Sequence, residues 1–181
     1  TKPISINFPS SAFGYMNIKE SVNDKELASL GYGYGITISP FQIASAYSVF
    51  ANEGILKDFK LLKNQEVTSK QIISSETANH ILDALRMAVK DGTGKAANIN
   101  GFSEGGKTGT VHQIKRGAGY AEDSYRASFI GIAPLNTKSL TIFVSIDEPG
   151  LNSYSGGAVA APVFAKIAES SLNYLGYFQD E

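Results

Sequence analysis

The chain has 181 residues, 43% of them hydrophobic and 18% charged, and a formal net charge of −1. That is enough length for one domain with a real core, and it excludes a disordered chain and one drawn to nucleic acid or anionic lipid by a strong field. With no cysteine and only His80 and His112 as histidines, disulfides, thiolate metal sites and a cysteine nucleophile are excluded, and neither a metal nor another cofactor is expected.

No apolar run approaches the ~18 residues of a membrane span, and no signal peptide is visible. The chain opens on Thr1, so it reads as a processed or excised piece of something longer. Thr1 to Leu30 reads as irregular, with Pro3, Pro9, Gly14 and a charged patch from Lys19 to Glu26. A first helix is then well marked. Ser39 suits an N-cap, Pro40 the first helical position and Gln42 the third, which completes a capping box. Ile43, Ala46, Tyr47, Phe50 and Ala51 form its apolar face, and Gly54 can end it in the left-handed region. A second helix is predicted from Ser74 or Ser75, with a stripe of Ala78, Ile81, Leu82, Leu85 and Val89 and a stop at Gly92. Gly92 to Lys95, GTGK, reads as that helix's end followed by a turn.

Beyond this point the period becomes two. Thr108–Ile114, Tyr125–Ala133 and Leu140–Ile146 read as strands. The last two are joined by PLNTK, short enough for an antiparallel hairpin. Arg116 to Asp123 reads as a polar loop. A third helix is predicted from about Ala160 to Leu175, with Pro162 in its first turn and Gly176 after it. The order helix, helix, three strands, helix predicts an α+β fold: an antiparallel sheet with helices packed on it.

Gly101 to Thr110, GFSEGGKTGT, carries the candidate chemistry and parses in two ways. From Gly101 it is G-x-x-x-x-G-K-T, a literal phosphate-binding loop, and Asp147 at the end of an apolar strand would suit a magnesium ligand. That parsing requires a helix opening at the Lys-Thr pair and a buried strand before the loop. The following residues, GTVHQIKRGAG, form no amphipathic helix, and KAANIN is a poor buried strand. Asp147 fits the turn D-E-P-G better. From Lys107 the stretch is K-T-G-T, which belongs on a strand. On an edge strand Lys107 and Thr108 project to opposite faces, Gly109 permits close approach, and the Thr110 N–H can face a developing oxyanion.

Four segments come in the order found in class B penicillin-binding proteins: GYGITISPFQIASAYSVFANEGI, DGTGKAANINGFSEGGKTGT, RASFIGIAP and SYSGGAVAAPVFAKI. The chain resembles that family from roughly Pro3 to the last helix, and most resembles the septal, cell-division transpeptidases of Gram-negative bacteria. The resemblance implies the penicillin-binding protein and serine β-lactamase fold, residues 1–181 being the C-terminal portion of the transpeptidase domain. It implies a serine acyl-enzyme that cross-links peptidoglycan stem peptides at their D-Ala-D-Ala ends and is stopped by β-lactams. Lys107 would assist proton transfer and hold the serine of an S-x-N motif. Thr108 and Thr110 would grip the substrate carboxylate, and the Thr110 N–H would form half of an oxyanion hole. Gly109 would permit close approach, Tyr34 and Tyr154 would wall the pocket, and Gly156 would line it. Ser155 stands where the family usually has an aromatic residue.

The departure from the family is the nucleophile, since no serine is followed by lysine three residues on. Ser21-Val22-Asn23 and Ser171-Leu172-Asn173 are literal S-x-N matches at the wrong places. The first lies too close before GYG, and the second follows the K-T-G strand. Thr1 to Gly14 resembles the segment after the family's S-x-N helix. The expectation is therefore a part of a domain, inactive alone, completed by an N-terminal half that carries the nucleophile. The parent would lie on the periplasmic side of the inner membrane, held by an N-terminal transmembrane helix, among divisome membrane proteins and with no nucleic-acid partner. Alternatives are an elongation-specific transpeptidase, a serine β-lactamase relative, a nucleotide-binding module and a non-catalytic binding module. His112 reads as an exposed side chain on the K-T-G strand, and His80 as structural.

Overall fold

The computed structural model describes residues 12, 14–16, 21–115, 119–150 and 153–177. The expectations for Thr1 to Ser11 and for Arg116 to Ala118 lie outside the described residues. Among the described residues seven strands and five α-helices follow in chain order: β1 (Tyr15–Met16), α1 (Asp24–Gly31), β2 (Ile36–Thr37), α2 (Pro40–Ala51), β3 (Ile55–Lys57), β4 (Ser69–Gln71), α3 (Ser75–Lys90), β5 (Gly105–Lys115), β6 (Gly119–Ala133), β7 (Leu140–Asp147), α4 (Gly156–Val159) and α5 (Ala161–Tyr174). A 3-10 turn, Lys95–Ala97, links α3 to β5.

The main sheet is antiparallel in the order β5-β6-β7, so β5, which carries K-T-G-T, is an edge. Its alternate residues face two helical layers. On one face Gly105 abuts Leu85 of α3, and α2 lies against β6 and β7. On the other, Phe129 packs on Phe164 of α5 with ring centroids 4.9 Å apart. Val144, Ala161, Ala168 and Leu172 are buried in the same cluster. Along α5 the buried positions Ala161, Phe164, Ala168 and Leu172 recur at helical spacing. Gly106 and Gly131 make room for the two rings, since a Cβ on either would lie within 2.6 Å of an aromatic carbon. Burial of a side chain as large as Phe164 stabilises by about 1.5–3 kcal/mol.

The capping box predicted for the first helix is present, and the second helix starts where expected. Ser39 and Gln42 form a reciprocal capping box on α2, and Ser74 caps α3. The face buried by α2 differs from the expectation. Its fully buried residues are Ser45 and Val49, while Ala46 is exposed. Because α2 is apolar over most of its circumference, α3, β3 and the sheet decide which side is covered.

Three elements correct the sequence reading. Asn23 and Glu26 form a capping box at the start of α1, within the stretch read as irregular. This helix buries no residue, so no apolar stripe announced it. The β3–β4 hairpin pairs three residues a side with mostly exposed side chains, below the length at which alternation is legible. The segment read as a polar loop is largely strand: β5 continues to Lys115 and β6 begins at Gly119, with a register shift between His112 and Ile114.

Candidate active-site strand

Lys107 stands inside β5, paired with Ile130 of β6, and no helix opens at Lys107-Thr108. Gly101, the first glycine of the phosphate-loop parsing, is a left-handed turn residue with φ 81°. The nucleotide-binding geometry is therefore absent here. Asp147 is committed elsewhere. It lies opposite Arg126 in the β6–β7 register and takes a two-pronged hydrogen bond from the guanidinium, with Nη2 to Oδ2 at 3.1 Å. Arg126 holds the Asp147 carboxyl below its ordinary range. Neither a magnesium ligand nor a plain turn residue describes it. Among the described residues no cluster of acids, histidines or cysteines could hold a metal ion.

The Lys107 side chain is exposed, and its ammonium donates to the Thr108 carbonyl at 2.8 Å. Thr108 and Thr110 share the face that meets α4. The Gly156 amide, at the first position of α4, donates to Thr110 Oγ1 at 3.0 Å. Ser155 caps that helix through its side chain. The helix start sits directly on the K-T-G strand. A Cβ on Gly156 would lie 2.3 Å from the Ser128 carbonyl oxygen and 2.5 Å from that of Gly109. At Gly109 a Cβ would meet a side chain instead, lying 2.5 Å from Ser128 Oγ. Gly156 is thus a glycine by close approach to the backbone of Ser128 and Gly109. A hydroxyl has one proton and two lone pairs. With Thr110 Oγ1 accepting from Gly156, the Thr110 proton is left to donate outward.

Two residues at the strand were not singled out from the sequence. Thr93, in the turn after α3, places its hydroxyl oxygen 2.9 Å from that of Thr108. Tyr125, on β6 opposite His112, is the centre of a ring stack. Its ring lies 4.2 Å from that of Tyr154 in nearly parallel stacking and 4.2 Å from the His112 ring at a tilt. Alternating residues flagged Tyr125 only as part of a strand; its role in the stack follows from register. Tyr154 is 45% exposed and stands just before the α4 start. Tyr34, after α1, is exposed. It lines a cavity of about 360 Å³ with Lys25, Glu26 and Leu30 of α1, and no described lining residue of that cavity belongs to β5, β6 or α4. His80 is exposed on α3, outside the buried stripe.

Glu104, immediately before β5, is a buried acid, at 6% exposure. Its carboxylate accepts from Asn98 Nδ2 at 3.2 Å and from the Ile99 amide at 3.3 Å, which fixes the turn leading into β5. Burial pushes its carboxyl above the ordinary range, against these hydrogen bonds and the nearby Arg86.

A helix-flanked antiparallel sheet with K-T-G-T on its edge and a helix start seated beside it defines a class, and comparison with known proteins agrees. The penicillin binding protein transpeptidase domain family matches residues 2–169. The chain is 37% identical over 175 residues to a probable peptidoglycan D,D-transpeptidase, PbpC, of Pseudomonas aeruginosa, covering 96% of this chain and 31% of that protein. It is 36% identical over 184 residues to stage V sporulation protein D of Bacillus subtilis, covering 94% and 28%. The TP domain of Burkholderia pseudomallei penicillin-binding protein 3 superposes with a TM-score of 0.87 at 34% identity, covering 98% of this chain and 55% of that one. The chain belongs to the transpeptidase-domain family of penicillin-binding proteins. It spans about a third of the length of these curated relatives and about half of that solved chain. No helix among the described residues is long and apolar enough to cross a membrane.

Proposed function

We propose that these 181 residues form one wall of the active site of a peptidoglycan D,D-transpeptidase whose nucleophile lies on a segment outside them. The observation that carries this reading is the placement of Lys107-Thr108-Gly109-Thr110 on an open sheet edge under the first turn of α4. In this reading a serine oxygen bonds to the carbonyl carbon of the D-Ala-D-Ala peptide, and the C–N bond breaks. The departing D-Ala takes a proton passed through the lysines around the serine. An amine of a second stem peptide then attacks the ester and regenerates the serine hydroxyl. Lys107 supports the proton transfer, Thr108 and Thr110 hold the terminal carboxylate, and the Thr110 amide receives the oxyanion. Gly156 lets the strand and helix meet closely enough to form the slot. Tyr154 stands beside it as an aromatic wall. β-Lactams present the same carboxylate and acyl group and stop at the ester.

The septal assignment rests on the resemblance of the segment from Gly33 to Ile55 and of the Gly156 helix start to division transpeptidases. With it go a periplasmic, membrane-anchored parent and divisome partners. The test is labelling with a fluorescent penicillin. The full-length protein is expected to carry a covalent adduct, and the 181-residue chain none. An adduct on the short chain overturns the location of the nucleophile, and none on the full-length protein overturns the transpeptidase reading.

A further inference from the structure

Thr93 lies outside K-T-G-T, in the turn between α3 and the 3-10 segment, yet it is wedged against both elements of the site. Its Oγ1 stands 2.9 Å from Thr108 Oγ1. Its carbonyl oxygen lies where a Cβ on Gly157 would approach to 2.3 Å. The turn is itself fastened to the helix before it, the Gly92 amide donating to Met87 and the Gly94 amide to Ala88. Thr93 therefore has little freedom to move away from β5 without disturbing α3 or α4.

The two threonines of the strand are held alike but by different donors. Thr110 Oγ1 accepts the Gly156 amide, so its own proton can only be offered elsewhere. Thr108 reaches the equivalent state only when Thr93 donates to it. The reverse orientation would turn Thr108's lone pairs toward an incoming anion. A carboxylate accepts hydrogen bonds and donates none, so its arrival selects the orientation in which Thr93 donates, Thr108 accepts, and the Thr108 proton faces the anion. Each hydroxyl in such a chain polarises the next. The ammonium of Lys107, held on the Thr108 carbonyl, adds positive charge at the same residue.

We propose that Thr93 is a positioning residue for the carboxylate-binding hydroxyl of Thr108, the side-chain counterpart of what the Gly156 amide does for Thr110. This rests on the reading of β5 as the carboxylate-gripping strand. Thr93 then contributes to specificity for ligands that end in a carboxylate, D-Ala-D-Ala peptides and β-lactams alike, without touching the acyl carbon.

The experiment uses the full-length protein and measures the second-order rate of acylation by benzylpenicillin and by its methyl ester. Thr93→Val is expected to slow acylation by the free acid about tenfold, the size of one hydrogen bond to a charged group, and to leave the ester rate within about twofold of wild type. Thr93→Ser, which restores the hydroxyl, is expected to restore the acid rate. In a Thr108→Val background Thr93→Val is expected to add nothing. General damage to the fold would slow acid and ester alike, and that outcome overturns the inference. So does an unchanged acid rate in Thr93→Val, or a full further tenfold loss in the Thr108→Val background. A wild-type protein that is not acylated at all removes the transpeptidase reading itself, a separate failure from a Thr93 that proves indifferent.

Discussion

Gly156→Ala should separate the close seating of α4 on β5 from a looser contact. The added methyl carbon would stand 2.3 Å from the Ser128 carbonyl oxygen, 2.5 Å from the Gly109 oxygen and 3.1 Å from the Gly109 nitrogen. All three are backbone atoms of the main sheet, so no side chain can swing away, and the start of α4 has to lift. Overpacking of this kind costs about 1–3 kcal/mol. Lifting α4 also breaks the Gly156 amide's 3.0 Å bond to Thr110 Oγ1, which adds about 1 kcal/mol. The expected loss is roughly 2–4 kcal/mol, a large share of the ~5–15 kcal/mol that holds a domain together. Urea unfolding of the full-length protein reads it as a lower midpoint for the transition of the transpeptidase domain. Gly31→Ala is the control. The same methyl is added at the end of α1, where nothing lies within 4 Å, and the expected change is within about 0.5 kcal/mol. If Gly156→Ala is as stable as Gly31→Ala, the helix start is not seated on the strand as described, and the shaping of Thr110 by Gly156 goes with it.

Two further predictions concern groups beside the strand. The carboxyl of Glu104 is raised by burial, so the folded state holds its proton at pH values where the unfolded chain has released it. Over the window from the ordinary carboxylate range up to the raised value, the folded state binds more protons, and unfolding free energy falls as pH rises. Glu104→Gln is expected to flatten that segment of the stability–pH curve; an unchanged curve would show that Glu104 titrates normally. The Tyr125–Tyr154 stack predicts a coupling of about 0.5–1.5 kcal/mol in a double-mutant cycle of alanine substitutions read by urea unfolding. A coupling near zero would mean that the two rings do not meet in solution.

The sequence by itself determined the elements whose signals are local. Ser39 with Gln42 and Ser74 marked two helix starts, because a capping side chain reaches its amides within one turn. The alternation from Tyr125 to Ala133 and from Leu140 marked a hairpin, because one short connection allows only antiparallel pairing. It also marked K-T-G-T as strand, since no helix could follow Lys107. Local signals failed where burial was weak. The helix at Asp24–Gly31 covers nothing, and β3 and β4 are too short to display a period. The tertiary structure alone decided which face of α2 is covered, that Asp147 pairs with Arg126 across the sheet, and that Tyr125 falls between His112 and Tyr154. It also brought Thr93, Thr108, Thr110 and Gly156, drawn from three separate segments, to one edge. Periodicity along a chain records which residues face inward. Register, and the close approaches that glycines at 109 and 156 permit, arise only when distant segments are packed together, so the partners that hold the candidate site could not be read from spacing.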